Sequence, residues 1–507
     1  MNLIECFAPS LKGRANQEAL VFNDRSWTFG EIDRASDRVA TALKNRYGIV
    51  RGDRISMYIG NCPELITFYL AAQKCGVIVV PMNVLYRDRE LSHLVSDTAP
   101  RLVLTDLERY AVFAPLRASF PSIENVFVVD GNGADHTLTW QALDDEVAVA
   151  PVDVSDISGD DPALMIYTSG TTGLSKGALL THHGLVSNIV SLLHCWQWTD
   201  RDRFVLALPL FHMHGLGNGL HGWLASGCRV RLFERFKAEV ILESLRSENG
   251  TLFFGVPTMY ERFIEAVEKG TTLPPKMRLY VSGSAPLSTD TFVRFEKLFG
   301  QRILERYGMS ETAMITSNLY CGEGARVQGT VGRALPGISV RIQHPEGRLV
   351  NDTEMGEIQV RGPNVLKEYW RQPEKTKEAF TADGWFKTGD IGRYDAARNI
   401  SITGRAKELI ISGGFNIYPQ EIINCLMEHP QVQEAAVIGV LDQRRGELVK
   451  AYVVCKDGVL SAETLMEYCG KHLASFKVPK SIEFLTALPR NAMGKLQLSA
   501  LPNRDKL

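Results

Sequence analysis

At 507 residues, with 45% hydrophobic and 22% charged residues, the chain has the length and composition of a globular protein of two or more domains. A formal net charge of −2 argues against a nucleic-acid binder that works by neutralising phosphates. No run approaches the roughly eighteen apolar residues of a membrane-spanning helix, and no signal peptide is predicted. The cysteines are scattered without a C-x-x-C pair, which indicates reduced thiols in the cytoplasm rather than a disulfide framework or zinc site.

The first part of the chain alternates between predicted helices and strands. Apolar positions at helical spacing predict helices over 29–43 and 64–75, and apolar runs predict strands over 54–59 and 76–81. Such alternation is typical of layered α/β folds with parallel strand pairing. Because no cluster of catalytic side chains occurs in this part, we expect it to serve as scaffold and oligomer surface.

A glycine-rich segment after the next strand indicates phosphate binding. Residues 163–166 predict a short buried strand, and the following segment, 167–177, holds hydroxyls, glycines and Lys176. Glycines let the backbone approach a ligand, and hydroxyls, N–H groups and an ammonium suit a polyphosphate. The segment is not a Walker A loop, because Ser175 occupies the position of the second glycine. From these residues alone, a flexible loop without a ligand is an equal alternative.

Two histidines follow a strand predicted over 204–210. His212 and His214 precede glycines where the strand leads into a helix, and ligands bind at such strand ends in open α/β sheets. A His-x-His pair can ligate a metal, but a third ligand at close spacing is missing from the sequence. The pattern therefore favours a lining of the substrate tunnel over a metal site.

Three further segments carry polar or small groups after predicted strands. Arg262 falls in the first turns of a helix, where an arginine is ordinarily a solvated surface charge. The small residues of 282–287 leave room for a flat ring against the backbone. Segment 303–312 contains Tyr307, an aromatic ring able to stack on a base, and Glu311, a carboxylate suited to magnesium and its bound phosphates.

From about residue 330 the pattern changes to short strands separated by turns, which predicts a smaller β-rich subdomain. Asp390 ends one of its segments, where a carboxylate can accept hydrogen bonds from both ribose hydroxyls; an aspartate in a turn is the alternative. We interpret 403–408 as a polar linker at the main domain boundary.

The rest of the chain predicts a separate α+β module large enough for its own core. Its predicted helices and strands are 419–429, 434–440, 450–455 and 462–473. Two conspicuous loops, 412–418 and 489–495, carry glycines, and the second places Lys495 beside a glycine.

Taken together, these segments resemble the adenylate-forming superfamily of acyl-CoA synthetases, aryl-CoA ligases, luciferase and the adenylation domains of peptide synthetases. The resemblance extends over essentially the whole chain and rests on six segments in the order of the family. They are 167–177, 282–287, 307–312, 385–390, 404–418 and 489–495. Because six such segments occur in the order of the family, the simpler interpretations of the single segments, such as a flexible loop or an aspartate in a turn, lose most of their support.

The resemblance implies an α/β fold in which residues 1–403 form a large N-terminal domain of layered αβ sheets. Its β-rich subdomain would span about 330–403. A hinge at 404–408, with Lys407 at the hinge position, would lead to a smaller, mobile α+β lid domain, 409–507. The family rotates this small domain between two reaction steps.

The roles of the family's residues transfer by position. ATP and AMP would be bound by Thr168, Ser169, Gly170, Thr171, Thr172, Lys176, Ser284, Ala285, Pro286, Glu305, Arg306, Tyr307, Gly308, Thr312, Asp390 and Arg405. The β- and γ-phosphates would be held by Thr168, Ser169, Thr171, Thr172 and Lys176, and the ribose by Asp390 and Arg405. The coenzyme A channel would be lined by Ser412, Gly413 and Gly414.

The implied reaction has two steps. A carboxylate attacks the α-phosphate of ATP to give an acyl-adenylate and pyrophosphate, and the thiol of coenzyme A then displaces AMP. Because two anions must meet, the site needs cations and positioning more than acid–base groups. Catalysis is assigned to Lys495, Thr312 and Glu311, with Glu311 holding Mg²⁺.

Three features resemble the malonyl-CoA synthetase branch: Arg306, which directly precedes Tyr307, and the segments around Arg262 and His214. In that branch two arginines grip the distal carboxylate of malonate. A buried second carboxylate needs a paired cation, and a fatty or aryl acid would leave a buried arginine unpaired. The carboxylate pocket is therefore expected to contain His214, Arg262, Ser282, Arg306 and Met309.

One position departs from this branch, since Ile315 stands where an asparagine is usual. The departure admits methylmalonate, a longer dicarboxylate or another acid. Three alternatives stay open: a medium-chain acyl- or aryl-CoA ligase, an adenylating enzyme that loads a carrier protein, and an ATP-binding module without activity. We expect a cytoplasmic monomer or homodimer without a nucleic-acid partner.

Overall fold

The computed structural model describes residues 1–133, 137–145, 150–168, 175–351, 354–412, 415–442, 445–456, 460–490 and 496–504, without the side chains of Lys407, Phe415 and Asn416. The chain divides into two compact units. The first contains Met1–Val340 and Val360–Phe386, and the second contains Arg341–Gln359 and Lys387–Leu507. The predicted fold class, α/β with one large and one smaller unit, is confirmed. The domain boundary at residue 403 and the hinge at 404–408 stay predictions.

Short strands make up the sheets of both units. In chain order they are β1 (Glu18–Phe22), β2 (Arg25–Thr28), β3 (Arg54–Tyr58), β4 (Ile78–Pro81), β5 (Leu102–Thr105), β6 (Asn125–Val128), β7 (Leu138–Thr139), β8 (Pro162–Thr168), β9 (Lys176–Thr181), β10 (Arg203–Leu206), β11 (Arg229–Leu232), β12 (Leu252–Gly255), β13 (Leu279–Ser282), β14 (Leu304–Met309), β15 (Ala313–Ser317), β16 (Arg333–Ala334), β17 (Ser339–Gln343), β18 (Gly356–Arg361), β19 (Glu368–Tyr369), β20 (Phe386–Tyr394), β21 (Ile400–Arg405), β22 (Ile410–Ser412), β23 (Phe415–Ile417), β24 (Val432–Asp442), β25 (Gly446–Cys455) and β26 (Ser481–Phe484).

The α-helices alternate with these strands. They are α1 (Leu3–Leu11), α2 (Phe29–Asn45), α3 (Pro63–Lys74), α4 (Asp88–Thr98), α5 (Leu107–Arg117), α6 (His182–Cys195), α7 (His221–Ser226), α8 (Ala238–Ser247), α9 (Pro257–Glu268), α10 (Thr289–Phe299), α11 (Pro373–Ala379), α12 (Pro419–Met427) and α13 (Ala462–His472). A π-helix spans His214–Leu220, and short 3₁₀ helices span Trp140–Ala142, Ala406–Glu408 and Leu498–Ala500. None of the helices in the described ranges has the length and apolar character needed to span a membrane.

Two large sheets form the first unit. Within the described residues, one has nine strands in the order β16-β15-β14-β13-β12-β10-β11-β1-β2, and the other has eight in the order β19-β9-β8-β4-β3-β5-β6-β7. From β14 to β1 the neighbouring strands of the first sheet pair in parallel. Parallel strands are covered on both faces, which explains why β4, β5, β12 and β13 are buried along their whole length.

The second unit contains two smaller sheets. Their described strands run in the orders β17-β18-β20-β21 and β23-β22-β25-β24, with β26 also paired to β25. Strand β21 continues through Arg405, which lies opposite Asp390 of β20. Residues 403–405, predicted to be part of a polar linker, therefore lie in a strand, because pairing across the sheet prevails over their local polar character.

Helix boundaries follow local capping chemistry. At the start of α2 the hydroxyl of Thr28 accepts a hydrogen bond from the backbone N–H of Glu31 at 3.2 Å, and the Glu31 carboxylate accepts one from the backbone N–H of Thr28 at 2.7 Å. Helix α9 begins at Pro257, where a missing N–H carries no penalty. Helix α10 is followed by Gly300 at φ +64°, a conformation that glycine adopts readily.

The parallel pairing determines where functional side chains gather. The carboxyl ends of β10, β12, β13 and β14 lie at one edge of the nine-stranded sheet, because these strands point the same way. The segments that follow them contain His214, Arg262, Ser284 and Glu311. In open α/β sheets this edge is where ligands bind.

Candidate active site

Arg306 is a buried cation with an open hydrogen-bonding edge. It lies in β14, its side chain is 3% exposed, and neither Nε nor Nη2 has a hydrogen-bond partner among the described residues. These two nitrogens form the side of the guanidinium that binds a carboxylate through two parallel hydrogen bonds. A β-carbon built on Gly283 would lie 2.4 Å from Cζ of Arg306, so only glycine lets the planar group rest against this backbone.

The burial of Arg306 carries an electrostatic penalty. Removal from water lowers the pKa of Arg306 to about 9, and the neighbouring Tyr260 opposes that effect. The Tyr260 hydroxyl donates to the carbonyl oxygen of Val281 at 2.6 Å, so it is already engaged with the backbone. Burying a cation without a charged partner costs free energy, and side chains with strongly shifted pKa values are frequent at functional sites.

Two more buried polar groups lie beside this arginine. His214 begins the π-helix, a rare element that is frequent at functional sites, and its Nδ1 lies 3.3 Å from the hydroxyl oxygen of Ser284. Its Nε2 has no partner within the described part of the chain. Burial, followed by the charge of Arg306, lowers the pKa of His214 well below its ordinary value, so the imidazole is neutral. Ser282 precedes Gly283 and has a buried hydroxyl without a described partner.

The other two residues expected in the carboxylate pocket are placed differently. Arg262 lies on α9 with an exposed side chain, whereas the expectation was an arginine buried beside Arg306. An amphipathic helix turns one side toward solvent, and Arg262 lies on that side together with the exposed Glu261. Met309 ends β14 and is half-buried. The structure thus brings His214, Ser282 and Arg306 together and leaves Arg262 on the surface.

Glu311 and Thr312 follow β14 and are held by a segment some fifty residues further along. The Tyr369 hydroxyl donates to Oε1 of Glu311 at 3.1 Å. The side-chain amide of Asn364 donates to the carbonyl oxygen of Thr312 at 2.6 Å. Glu311 and Thr312 are both buried, and the Thr312 hydroxyl donates to the carbonyl oxygen of Ala313 at 3.2 Å. Ala313 has φ +49°, a strained value for a residue other than glycine.

The strands that flank the glycine-rich segment place its two described ends together. Thr168 and Lys176 are opposite each other in the antiparallel pair β8 and β9. The imidazole Nε2 of His93 lies 2.7 Å from the carbonyl oxygen of Ser175. The Lys176 ammonium lies 4.8 Å from the ring centroid of Tyr369. The predicted phosphate contacts Ser169, Gly170, Thr171 and Thr172 lie outside the described residues.

Four of the predicted nucleotide-binding residues, Ser284, Ala285, Pro286 and Tyr307, line a turn and a hairpin. Ser284 has φ +73°, and Ala285 and Pro286 after it are exposed. Tyr307 is buried and lies opposite Thr316 across the hairpin of β14 and β15.

Gly308 and Glu305 have evident structural roles. A β-carbon on Gly308 would lie 2.1 Å from the carbonyl oxygen of Ala313, so the hairpin requires glycine there. Burial raises the pKa of Glu305 to about 7, and its Oε1 accepts a hydrogen bond from the backbone N–H of Gly329 at 3.4 Å.

The second unit holds the predicted ribose pair. Nε of Arg405 lies 3.2 Å from Oδ1 of the buried Asp390, and the two residues are opposite each other in β20 and β21. The backbone of Lys407 lies in the 3₁₀ helix Ala406–Glu408, and Ser412 ends β22 as a buried residue. Three predicted site residues lie outside the described residues: Gly413, Gly414 and Lys495.

The donor set fits magnesium held mainly by phosphate and water. In the part of the chain that the structure describes, no group of three or more His, Cys, Asp or Glu side chains is placed to hold a metal. Glu311 provides a single buried carboxylate at the predicted position. Magnesium keeps several waters and binds one or two carboxylates together with substrate phosphates, so one carboxylate suffices.

Known protein families identify the chain. The AMP-binding enzyme family matches residues 7–370, and the AMP-binding enzyme C-terminal domain matches residues 421–495. The chain belongs to the AMP-binding enzyme family. Malonate–CoA ligase of Arabidopsis thaliana is 32% identical, over 99% of this chain and 88% of that protein. Indoleacetate–CoA ligase of Aromatoleum aromaticum is 33% identical, over 94% of this chain and 93% of that protein.

Solved structures agree with this assignment. ATP-bound MatB from Rhodopseudomonas palustris has a TM-score of 0.87 and 36% sequence identity, and the match covers 98% of both chains. The resemblance to the adenylate-forming superfamily is thereby confirmed. This member of the AMP-binding enzyme family is an AMP-forming acid–thiol ligase that makes an acyl-adenylate and then a coenzyme A thioester. It uses ATP, Mg²⁺ and coenzyme A, and the prediction of an enzyme rather than an inactive ATP-binding module is confirmed.

The sequence did not indicate Tyr369 as a site residue. It lies in segment 365–371, which mixes apolar and charged residues and contains no glycine, and its partners Lys176 and Glu311 are far away in the chain. Burial, followed by the charge of Glu311, raises the pKa of Tyr369 above its ordinary value. The role of Asn364 was not predicted either, because its hydrogen bond to the carbonyl oxygen of Thr312 depends on the tertiary structure.

Proposed function

We propose that the acid activated by this ligase is a short dicarboxylate of the malonate class. The open Nε and Nη2 edge of the buried Arg306 carries this proposal. A distal carboxylate would pair both nitrogens and offset the penalty of burying the charge. An aliphatic or aromatic acid of the same size would leave the guanidinium unpaired, and it would gain nothing from the neutral His214 beside it.

The names of the relatives support a choice among acids only in part. MatB and malonate–CoA ligase are among them, but indoleacetate–CoA ligase has about the same identity to this chain. Overall identity reflects the shared adenylation chemistry, whereas the acid is selected by a few pocket residues. The open Nε and Nη2 edge of Arg306 is therefore a stronger argument for the acid than the identity values.

The other assigned roles are also part of this proposal. Lys176 would bind the ATP phosphates and Glu311 would hold magnesium, which neutralises phosphate charge. Thr312 would contact the α-phosphate, and Asp390 with Arg405 would hold the ribose. Lys495 would bring the substrate carboxylate to the α-phosphate, and Gly413 and Gly414 would line the channel for the thiol.

A panel of acids tests the proposed substrate class. Purified enzyme receives ATP, Mg²⁺, coenzyme A and one of malonate, methylmalonate, succinate, propionate or indoleacetate, and pyrophosphate release and thioester formation are measured. We expect kcat/KM for malonate to exceed that for propionate by at least about 30-fold, since propionate lacks the partner of a buried charge. Equal turnover of propionate or indoleacetate would contradict the proposal.

The same panel separates coenzyme A from a carrier protein as acceptor. The second half-reaction is run with either free coenzyme A or a phosphopantetheinyl carrier protein, and the thioester product is measured. We expect turnover with coenzyme A. Thioester formation on the carrier alone would show that the enzyme loads a protein.

We further propose that the enzyme works in the cytoplasm as a monomer or homodimer. All of its cysteines are free thiols, which is typical of a reducing compartment. Light scattering coupled to size-exclusion chromatography measures the mass in solution against the 56.4 kDa of one chain. A mass above twice that value would contradict the proposal.

A further inference from the structure

We propose that Tyr369 is a positioning residue that orients the Glu311 carboxylate and the Lys176 ammonium toward a shared group of polyphosphate and metal. Tyr369 itself contacts neither reacting atom; it acts through the two charged side chains. The inference rests on the proposed roles of Glu311 and Lys176, and it adds to them a residue that has no other assigned role in binding or catalysis.

The Tyr369 side chain contacts both charged groups, one through its hydroxyl and the other through the face of its ring. The hydroxyl donates to Oε1 of Glu311 at 3.1 Å, and the ring faces the Lys176 ammonium at 4.8 Å from its centroid. Both contacts are made by a neutral group, so Tyr369 neutralises neither charge. A carboxylate that keeps its charge suits a metal, and an ammonium that keeps its charge suits phosphate.

The backbone around Tyr369 is tied to both partners. Tyr369 lies opposite Ala178 in the pair of β19 and β9, two residues beyond Lys176. The Trp370 N–H donates to the carbonyl oxygen of Gly177 at 2.8 Å. The Leu366 N–H donates to the carbonyl oxygen of Glu311 at 2.6 Å. Segment 366–370 therefore fixes the distance between the strand that carries Lys176 and the turn that carries Glu311.

The ring itself has little freedom. Tyr369 is 7% exposed, and its backbone N–H donates to the hydroxyl of Thr376 at 3.0 Å. A buried aromatic ring held at both ends maintains one orientation of the groups that it contacts. Residues of this kind, hydrogen-bonded to a metal-binding carboxylate, typically change metal affinity when they are replaced.

Binding measurements separate this role from a purely structural one. The dissociation constant of ATP is measured by isothermal titration, first with saturating Mg²⁺ and then with EDTA. The variants are Tyr369→Phe, which removes only the hydroxyl, Tyr369→Leu, which also removes the ring, and Glu311→Gln. Tyr47→Phe is the matched control, since among the described residues the Tyr47 hydroxyl donates to the carbonyl oxygen of Ala142 alone, at 3.4 Å and in the same unit.

We expect Tyr369→Phe to weaken ATP binding about tenfold with Mg²⁺ and to leave binding in EDTA unchanged. Tyr369→Leu should weaken binding under both conditions, because Lys176 loses the ring as well. In the Glu311→Gln background, Tyr369→Phe should cause no further loss, since the hydroxyl acts through that carboxylate. Tyr47→Phe should behave as the wild type.

Three outcomes would overturn the inference. They are an unchanged affinity of Tyr369→Phe, an equal loss with and without Mg²⁺, and a full additional loss in the Glu311→Gln background. A Glu311→Gln variant with normal Mg²⁺ dependence would overturn the role of Glu311 and this inference together. The choice of a dicarboxylate is tested separately by the acid panel, so failure there is distinguishable. Tyr369→Phe preserves shape, so the test does not depend on folding of the leucine variant.

Discussion

Replacing Arg306 by methionine separates substrate recognition from folding. In the free protein the guanidinium is 3% exposed, and burial lowers its pKa to about 9. At about 1.4 kcal/mol per pKa unit, keeping this charge in the folded protein costs on the order of 5 kcal/mol. The penalty applies below pH 9 or so, where the group is charged in both the folded and the unfolded chain. Because methionine loses some packing along with the charge, we expect a net stabilisation of about 1–4 kcal/mol.

The same substitution should impair the enzyme on its proposed substrate. Losing the partner of a buried carboxylate costs about 2–5 kcal/mol, which is roughly 30- to 5,000-fold in kcat/KM for malonate. Propionate, which lacks the distal carboxylate, should be turned over as well as before or better. Steady-state kinetics with both acids and thermal denaturation without ligand measure the two effects. Arg246→Met is the matched control, because Arg246 is exposed and its one ion-pair partner in the described part of the chain is Glu243 on the same helix.

Two results would refute this reasoning. If Arg306→Met kept the preference for malonate, its open edge would not bind the second carboxylate. If the variant melted at a lower temperature and lost turnover of both acids, the buried charge would support the fold rather than the substrate. Either result would remove the main support for a dicarboxylate substrate.

Further predictions concern two buried titratable groups and the phosphate site. Burial raises the pKa of Glu305 from about 4.5 to about 7, so the free energy of unfolding falls as pH rises through this range. Glu305→Gln should therefore be more stable than the wild type by up to about 3 kcal/mol at pH 8 and equally stable at pH 4. A stability difference that does not depend on pH would contradict this prediction. Burial lowers the pKa of His182 from about 6.5 to about 4, so the neutral side chain contributes its full stability above pH 6.5 and loses it as pH falls toward 4. His182→Asn should therefore reduce the fall in melting temperature between pH 6.5 and pH 4. An unchanged fall would show that other groups cause it. Lys176→Ala should weaken ATP binding about tenfold, which titration with ATP measures. Its melting temperature should stay close to that of the wild type, because the side chain is only half-buried. An unchanged affinity for ATP would show that Lys176 does not bind the phosphates.

Several regular elements were predicted from local patterns. Helices over 29–43 and 64–75 correspond to α2 and α3, and the apolar run 163–166 lies within β8. Their apolar spacing, caps and glycines are local properties of the chain. Strand β26 was not predicted, because Ser481–Phe484 has a mixed polar pattern that becomes a strand only when it pairs with β25.

The candidate site was predicted unevenly. Glu311 and Thr312 were recognisable from their motif, and the structure places them in one buried turn supported by Tyr369 and Asn364. The sequence offered no basis for distinguishing Arg262 from Arg306 as residues of the expected pocket. Burial separates them, because Arg306 lies inside a strand pair whereas Arg262 lies on the exposed face of a helix.

The sequence by itself determined the α/β class and the type of reaction, because those depend on the order and local chemistry of six segments. Only the tertiary structure decided which charged side chain is removed from water and which distant side chain holds a predicted catalytic residue. Arg306 rests against Gly283 at the end of the neighbouring strand, and Tyr369 connects Lys176 with Glu311. Desolvation and hydrogen bonding act between residues that are close in space, and no local pattern in the chain records that closeness.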